Sequence, residues 1–170
     1  MIGHRRFARD RHGRIHPNLQ GPERDLLRML PRQALELVDH DEPTARRLFP
    51  VAYPHDAEAQ AEYHAMMGSQ LLEHHRQALD TLAATVDGAT LELDDLHVWL
   101  GAVEALRLVL GTQLDVSEDM TGVGPEDPRF DQFTVYQYLS MLQDEIVDTL
   151  ADALPPAGAG IDELGPEPFG

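Results

Sequence analysis

One stretch limits the fold of this chain more than any other. Between Ala57 and Val86, the positions Ala57, Ala61, His64, Gly68, Leu71, Leu72, His75, Leu79, Leu82 and Val86 fall on a single stripe when residues are projected at 100° each. A helix of that length carries an apolar stripe that it cannot cover alone, so other helices must pack on it. The spacing predicts them. Leu26, Leu27, Leu30, Ala34, Leu37 and Val38 follow Gly21-Pro22-Glu23, a start that tolerates proline in the first turn. Leu96, Trp99, Leu100, Val103, Leu106 and Leu110 mark a helix capped by Asp94 and ended by Gly111. Val135, Leu139, Leu142, Ile146 and Leu150 mark a last helix over about 131–154, ended by Pro155-Pro156.

The breakers set the remaining boundaries. FARD and RIH flank Arg11-His12-Gly13, where Gly13 can supply the positive φ of a tight hairpin, and Pro17-Asn18 ends the second strand. Pro31 lies within the first helical pattern. An interior proline loses a hydrogen bond and clashes with the preceding turn, at a cost of about 3 kcal/mol, which predicts a kink or two short helices. Asp41-Glu42-Pro43-Thr44 opens a short helix through Phe49, stopped by Pro50, and Asp56 caps the long one. Gly68, in the stripe, predicts close approach by another helix. Asp87-Gly88 ends the long helix, and ATLELD (89–94) alternates as a short strand able to join the hairpin. Residues 121–129 read as a loop. The expected architecture is mainly α: an antiparallel helical bundle with a small N-terminal β-hairpin and one further short strand. Residues 1–20 form the arm and hairpin, 21–154 the bundle, and 155–170 a disordered tail with too little apolar surface to fold.

Charge narrows the function. The chain has 13 Lys or Arg, every one an arginine, against 30 Asp or Glu, a formal net charge of −17. Such a surface repels phosphate backbones, so no direct nucleic-acid binding is expected. There is no cysteine, which excludes disulfides, thiol nucleophiles and cysteine-ligated metals. No apolar run suits a membrane span and no apolar segment follows the basic N-terminus, so the expectation is a cytoplasmic protein without membrane association. Arg5, Arg6, Arg9, Arg11 and Arg14 form a basic arm on an acidic body. Either the arm folds back onto that body or it contacts an acidic partner. The small contribution of exposed ion pairs favours the first reading.

Arg107 is the most informative single residue, because it projects between Val103 and Leu100 in the apolar stripe. A buried guanidinium requires a partner, and Glu104 sits at i,i+3 on the same face, although a carboxylate from another helix would serve as well. Such a pair would fix helix register. The functional alternative is an arginine that holds an anion or a protein partner in a cleft. Metal binding is not expected. His64 and His75 lie about 16 Å apart along one helix, His74 with Glu62 and Glu73 makes no ligand set, and Asp94 with His97 is a single pair. No catalytic set is visible, and Trp99, Tyr136 and Tyr138 read as core or protein-contact residues.

With these residues placed, WLGAVEALRLVLGTQLDVSED (99–119) resembles the signature of an actinobacterial domain-of-unknown-function family named for oxidative-stress regulators of the AosR type. The basic hairpin, DLLRMLPRQALELV, ARRLFPVAY, the acid-rich long helix and YQYLSMLQDEIVDTL agree in kind and order. The resemblance covers about residues 5–154, most specifically LRLVLGTQL. It implies a small cytoplasmic helical protein linked to transcription and acting through protein contacts. Regulators of this type carry redox-active cysteines near the N-terminus. The corresponding stretch here, His4 to Asp10, has none, so a thiol switch is impossible.

The leading expectation is therefore a non-enzymatic regulatory protein without cofactor, whose partner is a sigma factor, RNA polymerase or a Clp component; since the family sits beside Clp components, a Clp-protease adaptor is an alternative. A second is a small-anion-binding protein or enzyme, with Arg107 as anion anchor and His74 or His75 as acid–base group. A third is a homodimer through the exposed face of the long helix.

Overall fold

The computed structural model describes residues 5–40, 47–49, 51–114 and 123–155. A two-stranded antiparallel hairpin, β1 (Phe7–Arg9) and β2 (Ile15–Pro17), precedes four helices: α1 (Gly21–Asp39), α2 (Ala57–Thr85), α3 (Leu93–Leu114) and α4 (Phe130–Ala151). The fold is mainly α, as the periodicity predicts. Gly13 turns the hairpin at φ +84°. The Asp10 carboxylate holds the same turn by accepting from the backbone N–H groups of His12 (2.8 Å) and Arg14 (3.1 Å). Strand register pairs Phe7 with Pro17 and Arg9 with Ile15.

The hairpin is part of the core. Phe7 and Ile15 are fully buried, and Phe7 meets the Trp99 ring edge-on at 6.1 Å. Trp99 donates from Nε1 to Thr85 Oγ1 (2.8 Å), and Thr85 in turn donates to the Thr81 carbonyl, so the buried indole is satisfied. The strand expected at 89–94 is reduced to one bridge, Leu91 to Ile15, with hydrogen bonds in both directions. Leu93 already belongs to α3, whose start is organised by Asp95 accepting from the Glu92 N–H (3.0 Å) rather than by Asp94.

Other local expectations meet tertiary competition. α1 is one helix that runs through Pro31. Leu27, Pro31 and Ala34 form its buried face, and packing of that face offsets the lost hydrogen bond. Gly111 does not end α3. It is buried inside the helix, which continues to the buried Leu114. Asp56 caps α2 as expected, accepting from the Ala59 N–H (3.0 Å). Gly68 is buried, with the His64 ring of its own helix nearest to it, which a Cβ would meet at 3.4 Å. Of the helix expected at 41–49 only residues 47–49 are described, as a 3₁₀ turn with Leu48 buried, and the tail after Pro155 lies outside the described residues.

α3 is the central element. Leu96, Trp99, Ala102, Val103, Ala105, Leu106 and Val109 are all buried, which is more than one face of a helix can supply. α1 and α2 pack against each other and onto α3, while α4 packs on α3 and against β1. Two clefts flank α3 as a result. An apolar one of about 240 Å³ runs between α1, α3 and α4, lined by Leu26, Leu30, Leu106, Val109 and Val135. The other, between α3, α4 and the 3₁₀ turn, is more polar and contains Arg107, and it adjoins a space between α2, α3 and the same turn.

Candidate functional site

The basic arm folds back on the acidic body. Arg6 is its anchor. Nε donates to Glu23 Oε1 and Nη1 to Glu145 Oε1, both at 2.6 Å, while the Arg6 backbone N–H donates to Glu145 Oε2 (3.1 Å). The side chains of Arg6, Glu23 and Glu145 are only 19%, 17% and 30% exposed, so this is a largely desolvated three-way pair. The guanidinium also lies over the Tyr138 ring, 5.5 Å from its centroid. Burial and the neighbouring Glu23 carboxylate push the Tyr138 hydroxyl above its ordinary pKa. Glu23 has a second task at the start of α1, where it accepts from the Gln20 N–H (2.8 Å). Burial acts to raise the Glu23 carboxyl, yet the Gln20 N–H and Arg6 outweigh it and hold the group below its ordinary value.

The rest of the arm is on the surface. Arg5 pairs with Asp152 (2.9 Å) and Arg14 with Asp10 (3.4 Å). Arg9 and Arg11 are exposed, and neither has a carboxylate partner among the described residues. Arg11 donates instead to His12. Of the five arm arginines, two therefore retain charge available to an external acidic group.

Arg107 departs from its expected pairing. It is partly buried, but Glu104 is exposed and makes no ion pair with it. The residues that hold Arg107 come from α4 and are neutral. Nε donates to Ser140 Oγ (3.1 Å), Nη1 to Gln143 Oε1 and Nη2 to Tyr136 Oη (3.4 Å), with the guanidinium 5.3 Å from the Tyr136 ring centroid. Neutral acceptors satisfy the hydrogen bonds, and no carboxylate among the described residues pairs with the charge. Arg107, Glu104, Tyr136 and Gln143 line a cleft of about 200 Å³ together with Arg47 from the 3₁₀ turn. Arg47, Glu104 and Leu108 also line an adjoining space of about 300 Å³ that contains His74 and His75. His75 donates from Nε2 to the Leu48 carbonyl (2.9 Å) and so ties the turn carrying Arg47 to α2. The histidines thus lie in the neighbouring space and not beside Arg107.

No group of three or more His, Asp or Glu gathers into a cation site among the described residues. His74 and His75 contact each other ring to ring at 6.1 Å, and His97 bonds back to the Leu93 carbonyl within its own helix. Trp99 is core, whereas Tyr136 and Tyr138 each support an arginine. Two features escaped the sequence. One is the Arg6–Glu23–Glu145 group, whose members are 17 and 139 residues apart. The other is Arg24, whose guanidinium donates to the backbone carbonyls of Leu19, Pro17 and Val86 and so clasps the hairpin exit to the end of α2. S-x-x-E/Q-like patterning would have flagged Glu23 as a helix-start residue, but nothing local identifies its arginine.

These features define a small helical domain with an integral N-terminal hairpin, clasped together by arginine, with two clefts beside a central helix. The chain belongs to the family described as a domain of unknown function, DUF2017, whose model matches residues 4–150. Among curated relatives it is 32% identical over 128 residues to the oxidative stress regulator AosR of Mycobacterium tuberculosis and to that of Mycobacterium bovis. Each of these matches covers 62% of this chain and 57% of the relative. It is 30% identical over 125 residues to the putative oxidative stress regulator AosR of Mycobacterium leprae, covering 63% of this chain and 58% of the relative. The chain therefore spans somewhat more than half the length of the relatives it matches. No solved structure matches it. No described helix is long and apolar enough to cross a membrane.

Proposed function

We propose that this protein is a non-enzymatic regulator of a stress response that acts by binding another protein of the transcription machinery, a sigma factor or a subunit of RNA polymerase. The observation that carries the reading is the similarity, over 62–63% of this chain, to relatives named oxidative stress regulators. These 170 residues contain no cysteine, so the input they offer to regulation is something other than a thiol of their own. The exposed Arg9 and Arg11 supply positive charge for an acidic partner surface, and the apolar cleft between α1, α3 and α4 is a second surface open to contact.

The test is affinity capture from lysate of the source cells with the full chain as bait, set against the Arg9→Gln, Arg11→Gln double variant. The expected result is recovery of a sigma factor or polymerase subunits by the native chain, with several-fold less by the variant. Recovery of the bait alone would overturn the reading. Recovery of Clp subunits in place of polymerase would replace it with a protease adaptor.

A further inference from the structure

We propose that the cleft between α3, α4 and the turn carrying Arg47 is a binding site for a small molecule bearing an oxyanion, a phosphate or a carboxylate, together with an adjacent hydroxyl or amino group. In a chain of net charge −17, the usual neighbour of an arginine is a carboxylate. Arg5, Arg6, Arg14, Arg28, Arg76 and Arg129 all follow that pattern. The surface residues Arg9 and Arg11 and the carbonyl-bound Arg24 do not, and neither do Arg107 and Arg47, which differ from those three in lining one cleft together. Among the described residues Arg47 has neither a hydrogen bond nor an ion pair.

Arg107 is held as a receptor would be. A guanidinium has five N–H donors. Ser140, Gln143 and Tyr136 accept three of them, which leaves one on each terminal nitrogen. A fork of two donors on a delocalised cation matches the two oxygens of a carboxylate or phosphate. The three neutral acceptors and the Tyr136 ring fix the plane of the guanidinium before any ligand arrives, which lowers the entropy lost on binding. Arg47 approaches from the turn that His75 secures. The cleft volume, about 200 Å³ with about 300 Å³ adjoining, suits a small metabolite and not a folded partner.

Glu104 gives the site its selectivity. It is the one carboxylate lining the cleft among the described residues, so the two arginines leave an excess of one positive charge. A bare anion placed near Glu104 is repelled. A ligand with a hydroxyl or amine beside its oxyanion donates to that carboxylate and relieves the repulsion.

The experiment titrates the full chain, in buffer of constant chloride, with inorganic phosphate, glycerol phosphate and serine, following the arginine Nε–H signals by NMR. Saturable shifts of the Arg107 signal are expected, with at least one of the two hydroxyl- or amine-bearing ligands binding about tenfold more tightly than inorganic phosphate. Arg47→Gln should weaken binding about tenfold without lowering the melting temperature, because Arg47 makes no hydrogen bond or ion pair among the described residues. Arg107→Gln should abolish binding, and Arg47→Gln carries the test if that variant fails to fold. Glu104→Gln should remove the preference over inorganic phosphate. Equal binding by Arg47→Gln, shifts spread evenly over Arg9 and Arg11, or no saturation with any of the three ligands would overturn the proposal.

Discussion

Replacing Arg6 by methionine should destabilise the whole domain, because three elements meet at that guanidinium. The variant keeps most of the side-chain volume but strands Glu23 and Glu145, whose side chains are 17% and 30% exposed. A hydrogen bond to a charged group contributes about 1.5–3 kcal/mol, and removing one member of a fully buried pair costs about 3–5 kcal/mol. Partial exposure screens this node, so about 2–4 kcal/mol is expected. For a chain of this size 1 kcal/mol moves the melting temperature by about 2–4 °C, which makes the fall about 6–12 °C for a 3 kcal/mol loss. Thermal melts followed by circular dichroism at pH 7 read this directly. The pH dependence gives a second check. Glu23 is held lower in the folded state than in the unfolded one, so its contribution is present above the ordinary carboxylate range and fades as pH falls through the lowered value. The gap between native and variant proteins should therefore be full at pH 7 and shrink in acid. Adding Glu23→Gln and Glu145→Gln to Arg6→Met should recover part of the loss, since no lone charge is then left partly buried. A fall of less than about 2 °C for the single variant would mean that the node behaves as an ordinary surface pair, and the reasoning would fail.

Three further outcomes follow from the same geometry. Trp99→Phe removes the indole donor to Thr85 and leaves a void at the Phe7 contact, so urea denaturation should show a loss of about 2–4 kcal/mol; an unchanged midpoint would contradict the placement of Trp99 in the core. Arg24→Met leaves the Leu19, Pro17 and Val86 carbonyls without their shared donor and should cost about 1.5–3 kcal/mol, with faster amide exchange at the hairpin exit as the local signature. The Asp10 carboxyl, held well below its ordinary value by His16 first and by the Arg14 and His12 N–H groups, should stay ionised at pH 3 in a side-chain NMR titration, and the hairpin should loosen only in stronger acid; titration near the usual aspartate value would refute the turn geometry.

Local pattern was enough to reveal most elements. The four long helices were legible because their apolar residues recur at helical spacing, and the hairpin because Gly13 can adopt the positive φ its turn needs. Asp56 was legible as a cap for a similar reason: its partner N–H lies three residues away. The errors share one cause. On local cost alone Pro31 and Gly111 are breakers and 89–94 is a strand, while burial against distant elements decides each of them. Arg107 is legible as unusual from its place in the stripe, but spacing offers only carboxylates, Glu104 or one from another helix, while its holders are neutral groups on α4, 29 to 36 residues along the chain.

The amino-acid order alone thus determined the helical class, the turn chemistry, the acidic charge and the absence of thiol chemistry, since each depends on residues close together in the chain or on composition. Only the tertiary structure decided that α3 is central, that Arg6 joins Glu23 to Glu145, and that Arg107 and Arg47 share one cleft. Those outcomes depend on which faces meet. Burial and desolvation set that choice among groups the chain keeps far apart, and no local periodicity encodes it.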